Sequence, residues 1–137
     1  MTVQTGAMAK FLIIDDHPLF REALHSAVTL AYPDADSPGV LLKLGQAIEG
    51  GVGPDGDIVA FSILCPHKGW YLSYNGEDRT FNCPGHHSRF DAEAGGQQVW
   101  GHATNNLPQF VLRVDDAGDI YAEGVDELIY GRLSNTL

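Results

Sequence analysis

The spacing of apolar residues changes character about a quarter of the way along the chain. Between residues 19 and 28 apolar side chains recur at the interval of one helix face, and Pro18 precedes them at a position that suits a first helical turn. A short apolar run at residues 11–14 comes before them, followed by the acidic pair Asp15 and Asp16. This segment predicts a short strand, an acidic turn and one helix over residues 19–30.

Beyond residue 33 helical periodicity disappears, and short apolar runs alternate with turn residues. Predicted strands lie at residues 40–44, 58–64, 71–74, 79–81, 110–114, 120–122 and 128–130. Asn75 and Gly76 between two of these runs predict a hairpin, because both residues tolerate positive φ. We therefore expect an all-β, mainly antiparallel fold with one short N-terminal helix, in a chain whose 137 residues suit one main domain.

Charge narrows the range of partners. The net charge of -10 arises from 18 acidic against 8 basic side chains, and no Lys/Arg cluster is long enough to follow a phosphate backbone. Nucleic acid is not an expected partner. No apolar run approaches the roughly 20 residues that a membrane-spanning helix needs, so no such helix is expected. An acidic surface suits docking on a basic protein face, although ordinary solubility explains the same charge equally well.

Two short loops carry the candidate chemistry. Cys65 and His67 stand at one end of the predicted hairpin, and Cys83 and His86 stand at the other. Adjacent strand ends would bring two thiolates and two imidazoles together, which predicts a metal centre. Zinc accepts the same donors, although its structural sites usually pair Cys with Cys and His with His. Ligand number alone therefore leaves zinc open.

The two loops resemble the paired motifs of the Rieske family, Cys-x-His-x-Gly-Cys and Cys-Pro-Cys-His-x-Ser. The residues kept here are Cys65, His67, Gly69, Cys83, Pro84, His86 and Ser88. The resemblance implies a Rieske-type fold that binds one [2Fe-2S] cluster, with Cys65 and Cys83 on one iron and His67 and His86 on the other. It also implies that Ser88 donates a hydrogen bond to a bridging sulfide, which would raise the reduction potential.

The chain departs from the family pattern at several positions. Trp70 and Gly85 stand where many Rieske proteins carry two cysteines that bridge the loops. Trp70 is a candidate shield against water, and an aromatic packed in the loop base is the alternative. Phe90 replaces a tyrosine of some high-potential relatives, which predicts a lower potential. His87 is expected not to be a ligand, and His102 is given no role.

Segments outside the loops resemble the small iron–sulfur subunit of arsenite oxidase. They lie at residues 40–45, 50–55, 90–93, 107–108 and 124–132. The resemblance implies a large molybdenum-containing catalytic subunit, a cytochrome or cupredoxin as electron acceptor, and a periplasmic location. This chain would be the non-catalytic electron-transfer subunit. The alternatives are the small subunit of a related enzyme such as iodate reductase, a free-standing Rieske ferredoxin of a dioxygenase, and a zinc-stabilised binding module.

The N-terminal segment fits that family poorly. Residues 10–24 resemble the opening of a response-regulator receiver domain, in which Asp15 and Asp16 would help to bind magnesium, but no phosphorelay activity is expected. No export signal is visible, so a cytoplasmic location stays open. We divide the chain into an atypical strand–helix segment at residues 1–30 and a Rieske domain at residues 31–137. The cluster-binding subdomain spans about residues 62–104.

Overall fold

The computed structural model describes residues 9–11 and 28–132. Over these residues the chain forms ten strands and one 3-10 turn. The strands are β1 (Ala9–Phe11), β2 (Val28–Ala31), β3 (Pro38–Lys43), β4 (Ile58–Ser62), β5 (Ser73–Asn75), β6 (Thr80–Asn82), β7 (Arg89–Asp91), β8 (Gln97–Trp100), β9 (Phe110–Val114) and β10 (Ile120–Val125). The 3-10 turn, Ala92–Ala94, lies between β7 and β8.

The strands form three antiparallel sheets with the orders β1-β10-β9, β2-β3-β4 and β5-β6-β7-β8. This arrangement confirms the expected all-β, mainly antiparallel fold. Within the described part of the chain, no helix is long and apolar enough to cross a membrane.

The sheet β2-β3-β4 is buried on both faces. Successive side chains of a strand point to opposite faces, so Leu41 and Ala60 pack in one apolar cluster while Val40 and Val59 pack in another. This double burial explains why β3 and β4 read as nearly continuous apolar runs rather than as alternating ones.

The second apolar cluster joins the central sheet to the four-stranded sheet. Phe61 of β4 and Phe81 of β6 are both fully buried and meet edge to face, with ring centroids 5.6 Å apart. The cluster also includes Cys65 and Cys83. The two cysteines are therefore part of the packed core rather than of freely exposed loops.

The prediction that the N-terminal helix extends to residue 30 is wrong. Val28–Ala31 is strand β2, which pairs with β3 through Val28 opposite Leu41 and Ala31 opposite Pro38. Pairing with the central sheet overrides the helical spacing there. Residues 12–27, with the rest of the predicted helix and the acidic pair, lie outside the described residues. Strand β2 runs across the proposed boundary at residue 30, and the division into two segments stays a prediction.

Two further expectations need correction. The hairpin β5-β6 forms as expected, but the left-handed residue of its turn is Arg79 (φ 55°) and not Asn75 or Gly76. No strand forms at residues 128–130. There Ile129 is buried in the core, and the chain turns so that Gly131 lies against Gly69.

Candidate metal centre

Two loops at one end of the four-stranded sheet share a backbone frame. Loop 1 (residues 65–70) follows β4, and loop 2 (residues 83–88) joins β6 to β7. In each loop the cysteine N–H donates to the carbonyl five residues later, that of Trp70 or Ser88, at 2.8 Å. The residue four positions after the cysteine, Gly69 or His87, donates its N–H back to the cysteine carbonyl, at 2.8 and 3.0 Å. The two loops thus share one turn geometry, although His67 lies two residues after its cysteine and His86 three residues after its own.

The fourth position after each cysteine has left-handed backbone. Gly69 has φ 76° and His87 has φ 64°. Glycine adopts this conformation without steric cost, whereas a residue with a Cβ adopts it at a cost of about 1–2 kcal/mol. His87 and Arg79 are the non-glycine residues with positive φ in the described part of the chain.

The two thiols lie deep between the loops. Cys65 is fully buried and Cys83 is 2% exposed. Burial raises the pKa of the Cys65 thiol, and the neighbouring Cys83 raises this pKa further through a hydrogen bond and its charge. The backbone N–H groups of His67 and Lys68 act in the opposite direction by donating to the sulfur. Adjacent buried thiols of this kind become stable thiolates when a metal cation lies beside them.

The two imidazoles lie together on the outer side of the thiols. The ring centroids of His67 and His86 are 4.8 Å apart, with the planes at 85°. Burial lowers the pKa of His67, and the positive charges of His86 and Lys68 add to this effect. A lowered pKa keeps the imidazole neutral at pH 7, which is the form that binds a metal.

One buried atom tests whether the site suits a metal cluster. His67 Nδ1 is buried and has no hydrogen-bond partner in the protein. A buried ring nitrogen without a partner is unfavourable unless it binds something, and an iron atom would satisfy it. Among residues 9–11 and 28–132, no three His, Cys, Asp or Glu side chains gather closely enough to hold a single ion. The two thiols and two imidazoles would instead suit a centre in which each pair holds its own metal ion.

Ser88 is fully buried beside loop 2. Its Oγ accepts a hydrogen bond from the N–H of Ala103 at 3.0 Å. Gly101 packs so closely that a Cβ there would lie 2.5 Å from Ser88 Cα. Because Oγ accepts from Ala103, its own hydrogen points elsewhere. Ser88 is thus a fixed hydroxyl at the loop, and its donation to a sulfide stays a prediction.

Trp70 and Gly85 touch across the two loops. A Cβ on Gly85 would meet the indole of Trp70 at 2.8–3.2 Å, so only glycine fits beneath the ring. The indole also lies 6.3 Å from the ring of His86 and is 51% exposed. The positions that carry a cysteine pair in many Rieske proteins thus form a direct non-covalent contact here. The role of Trp70 as a shield stays a prediction.

Sequence reasoning gave His102 no role, yet the fold places it at this site. Its ring stacks on His67 with centroids 5.8 Å apart and planes at 27°, and lies 6.4 Å from His86. No sequence pattern indicated this position, because His102 comes after β8 and does not stand at ligand spacing from either cysteine. Phe90 is fully buried and His87 is exposed. His17 and His25 lie outside the described residues.

A family model decides the nature of the centre. The model of the Rieske [2Fe-2S] domain matches residues 33–111. This chain belongs to the Rieske [2Fe-2S] family. It is an iron–sulfur electron-transfer protein that carries one [2Fe-2S] cluster, and the zinc-module alternative is wrong.

Curated relatives refine the comparison. The Rieske chain is 46% identical over 108 residues to the iodate reductase subunit IdrB of Denitromonas iodatirespirans, covering 77% of this chain and 58% of that protein. Identity to the IdrB subunit of Pseudomonas sp. (strain SCT) is 47% over 103 residues, covering 73% of this chain and 53% of that one. The chain thus spans a little over half the length of these relatives.

A solved structure shows the same fold. The soluble domain of the Rieske protein II (soxF) from Sulfolobus acidocaldarius superposes with a TM-score of 0.73 at 25% identity, covering 88% of this chain and 80% of that one. These matches do not support the receiver-like interpretation of residues 10–24, nor arsenite oxidase specifically.

Proposed function

We propose that this Rieske protein is the electron-transfer subunit of a molybdenum oxidoreductase of the iodate reductase type. The observation that carries the proposal is the 46% identity to an iodate reductase subunit over 77% of the chain. Its partner would be a large molybdenum-containing catalytic subunit. A reductase consumes electrons, so this subunit would deliver them to the catalytic subunit after taking them from a soluble carrier.

We assign one iron to Cys65 and Cys83 and the other to His67 and His86. The pairing of like residues supports this assignment, because the rings of His67 and His86 lie 4.8 Å apart and the thiols of Cys65 and Cys83 are close enough to hydrogen-bond. The unpaired Nδ1 of His67 supplies the second argument, since a buried acceptor without a donor fits an iron ligand. His87 is exposed and its backbone holds the loop turn, so it is not in the set.

The protein side chains set how easily the centre takes up an electron. The [2Fe-2S] cluster supplies one-electron oxidation and reduction when bound. Two neutral imidazoles in place of two thiolates remove two negative charges, which favours electron uptake and gives Rieske centres potentials of roughly -150 to +300 mV. Exposed His86 gives electrons a route to the surface, while the buried cysteines exclude water from the inner side.

A second candidate is the small subunit of an arsenite oxidase. The similar segments at residues 40–45 and 124–132 favour it. Electrons would then flow in the opposite direction, from the catalytic subunit through this chain to a cytochrome or cupredoxin. A periplasmic location belongs to either candidate as part of the proposal.

The cluster and its ligands are tested by low-temperature EPR of the dithionite-reduced protein together with iron and sulfide analysis. We expect two irons per chain and a rhombic signal with an average g of about 1.9, as mixed His and Cys ligation produces. Variants His67→Ala and His86→Ala should lose the signal. His102→Ala is the matched control, because it removes a neighbouring imidazole outside the ligand set, and should retain it. A retained signal in His67→Ala would overturn the assignment.

The enzyme type is tested on the co-expressed complex of this chain with a large subunit. Reduction of iodate by the complex, lost on removal of this chain, would support the iodate reductase type. Oxidation of arsenite with reduction of this cluster would transfer the proposal to the second candidate. Neither activity in a complex that holds both cofactors would reject both.

A further inference from the structure

The acidic residues are absent from the parts of the chain that build the cluster site. All 18 Asp and Glu residues fall outside residues 58–76, 79–90 and 94–114, which contain both loops and β8. Lys68 and Arg89 lie within these stretches, and both side chains are exposed. A protein of net charge -10 thus has its cluster loops in acid-free, weakly basic segments.

The acid nearest to loop 2 along the chain, Asp91, lies at the far end of β7 opposite Thr80, and its carboxylate accepts from the N–H of Glu93. Glu77 and Asp78 lie in the turn of the β5-β6 hairpin, at the end opposite the loops, and the three residues of β6 separate this turn from loop 2 by roughly 10 Å at 3.3 Å per residue. Glu93 binds Arg79 at 3.0 Å. In the C-terminal segment behind loop 1, Glu127 accepts from the hydroxyl of Tyr130. At physiological salt a charge is screened over about 8 Å, so a docking partner meets the local charge more than the net charge.

Exposed aromatic residues flank both loops: Trp70 and Tyr71 end and follow loop 1, and Trp100 lies opposite Arg89, which follows loop 2. Tyr71 is 65% exposed and Trp100 is 69% exposed, and Trp70 is half exposed. Trp100 lines a cavity of about 380 Å³ together with His87 and Arg89. Exposed aromatic and arginine side chains with few acids are the composition of the core of a protein interface rather than of an ordinary surface.

We propose that this docking face, formed by Lys68, Trp70, Tyr71, His86, Arg89 and Trp100, binds a soluble electron-carrier protein whose own face places carboxylates around an apolar patch. The inference rests on the proposed electron-transfer function and names the partner's chemistry. The net charge of -10 taken alone would predict a partner with a basic face instead. The docking face is small, being two loops and the end of one strand, which suits a transient redox encounter rather than a permanent subunit contact.

The test measures electron transfer from a reduced, acidic, low-potential c-type cytochrome to the oxidised holoprotein by stopped-flow absorbance at increasing salt. Both proteins carry net negative charge, so repulsion between net charges would make the rate rise with salt. Attraction to a local basic face makes it fall. We expect a fall. A rise would overturn the proposal.

Matched variants locate the effect. Lys68→Gln and Ala117→Glu each change the net charge from -10 to -11, but Ala117 lies in the β9-β10 turn. We expect Lys68→Gln to lower the low-salt rate about threefold, Lys68→Arg to restore it, and Ala117→Glu to leave it unchanged. Trp100→Ser should lower the rate at all salt concentrations, because it removes apolar contact. Equal effects of Lys68→Gln and Ala117→Glu would overturn the proposal.

Two other occupants of the docking face give distinct results. Self-association in sedimentation that Trp100→Ser abolishes would assign the face to a second copy of the chain and overturn the proposal. Loss of cytochrome oxidation when the large subunit is added would assign it to that subunit, with the same consequence. An EPR-silent, iron-free protein would reject the proposed function itself, whereas an intact cluster with a rising salt dependence rejects only the docking partner.

Discussion

Loop 1 and loop 2 follow the same closed turn but are packed against different parts of the protein. In both, the cysteine N–H donates to the carbonyl of the fifth residue after it, and the cysteine carbonyl accepts from the N–H of the fourth. Loop 1 rests on the C-terminal segment, where a Cβ on Gly69 would lie 2.2 Å from the Gly131 carbonyl oxygen. In loop 2 the corresponding residue is His87, whose side chain is exposed. The shared turn needs a left-handed residue, but only the packed loop requires that residue to be glycine.

The fifth position also differs between the loops. Loop 1 ends on Trp70, which reaches across to Gly85 of loop 2. Loop 2 ends on Ser88, which is buried and bound to Ala103. One loop thus provides the contact between the loops, and the other provides the fixed hydroxyl.

Gly69→Ala should be severely destabilising, because the new methyl group meets backbone that cannot move aside. We expect a loss of about 3–5 kcal/mol in the free energy of unfolding and poor cluster incorporation. Chemical denaturation and iron analysis measure both. Gly118→Ala is the control, since Gly118 has φ 86° but nothing within 4 Å of a Cβ. It should lose only about 1–2 kcal/mol. Equal losses would show that the contact with Gly131 does not matter.

His67→Cys should lower the reduction potential by on the order of 100 mV or more, because a thiolate adds a negative charge to the centre. His86→Cys should behave alike, since the two loops hold equivalent ligands. Protein-film voltammetry measures the potential, and EPR checks that the cluster is intact. An intact cluster with an unchanged potential would remove the substituted histidine from the ligand set.

Ser88→Ala should destabilise the protein by about 1–3 kcal/mol, because the buried N–H of Ala103 loses its acceptor. It should also lower the potential, by less than a ligand change, if the hydroxyl donates to the cluster. Ser73→Ala removes an exposed hydroxyl that donates to the Asn82 carbonyl and should change stability by less than about 0.5 kcal/mol. A stability loss without a shift in potential would leave Ser88 a purely structural role.

Trp70→Ala should shorten the lifetime of the cluster in air, because it opens the space between the loops to water and oxygen. Decay of the visible absorbance of the oxidised protein measures this lifetime. Trp100→Ala is the control, since Trp100 is also exposed but lies on β8 opposite Arg89. Equal lifetimes of the two variants would show that Trp70 does not shield the cluster.

The family could be predicted from sequence because its motif depends on a few residues at fixed spacing, Cys65 and His67 followed by Cys83 and His86. That these four bind the cluster stays a prediction. The hairpin between them was also predicted, although its left-handed residue is Arg79 rather than Asn75 or Gly76. Strand β3 was predicted from the apolar run at residues 40–44, but its burial on both faces emerged only from the structure.

The rest depends on contacts between distant parts of the chain. Stacking of His102 on His67 joins β8 to loop 1, and no spacing rule connects them. Strand β8 itself has mostly exposed residues, so its sequence lacks a buried face to reveal it. Strand β2 carried a helical pattern that pairing with β3 overrode. Such features arise from tertiary packing, which local patterns do not encode.

His87→Gly should produce the smallest change and the one of opposite sign. Glycine removes about 1–2 kcal/mol of left-handed strain, while its greater freedom in the unfolded chain costs about 0.5–1 kcal/mol, so stability should rise by up to about 1.5 kcal/mol. Thermal denaturation measures the change. His87→Ala is the control, because alanine keeps the Cβ and its strain but removes the imidazole. If alanine stabilised the protein as much as glycine does, the strain would lie in the imidazole ring and its surroundings. The two loops would then differ by side-chain contacts and not by the requirement for glycine at the fourth position.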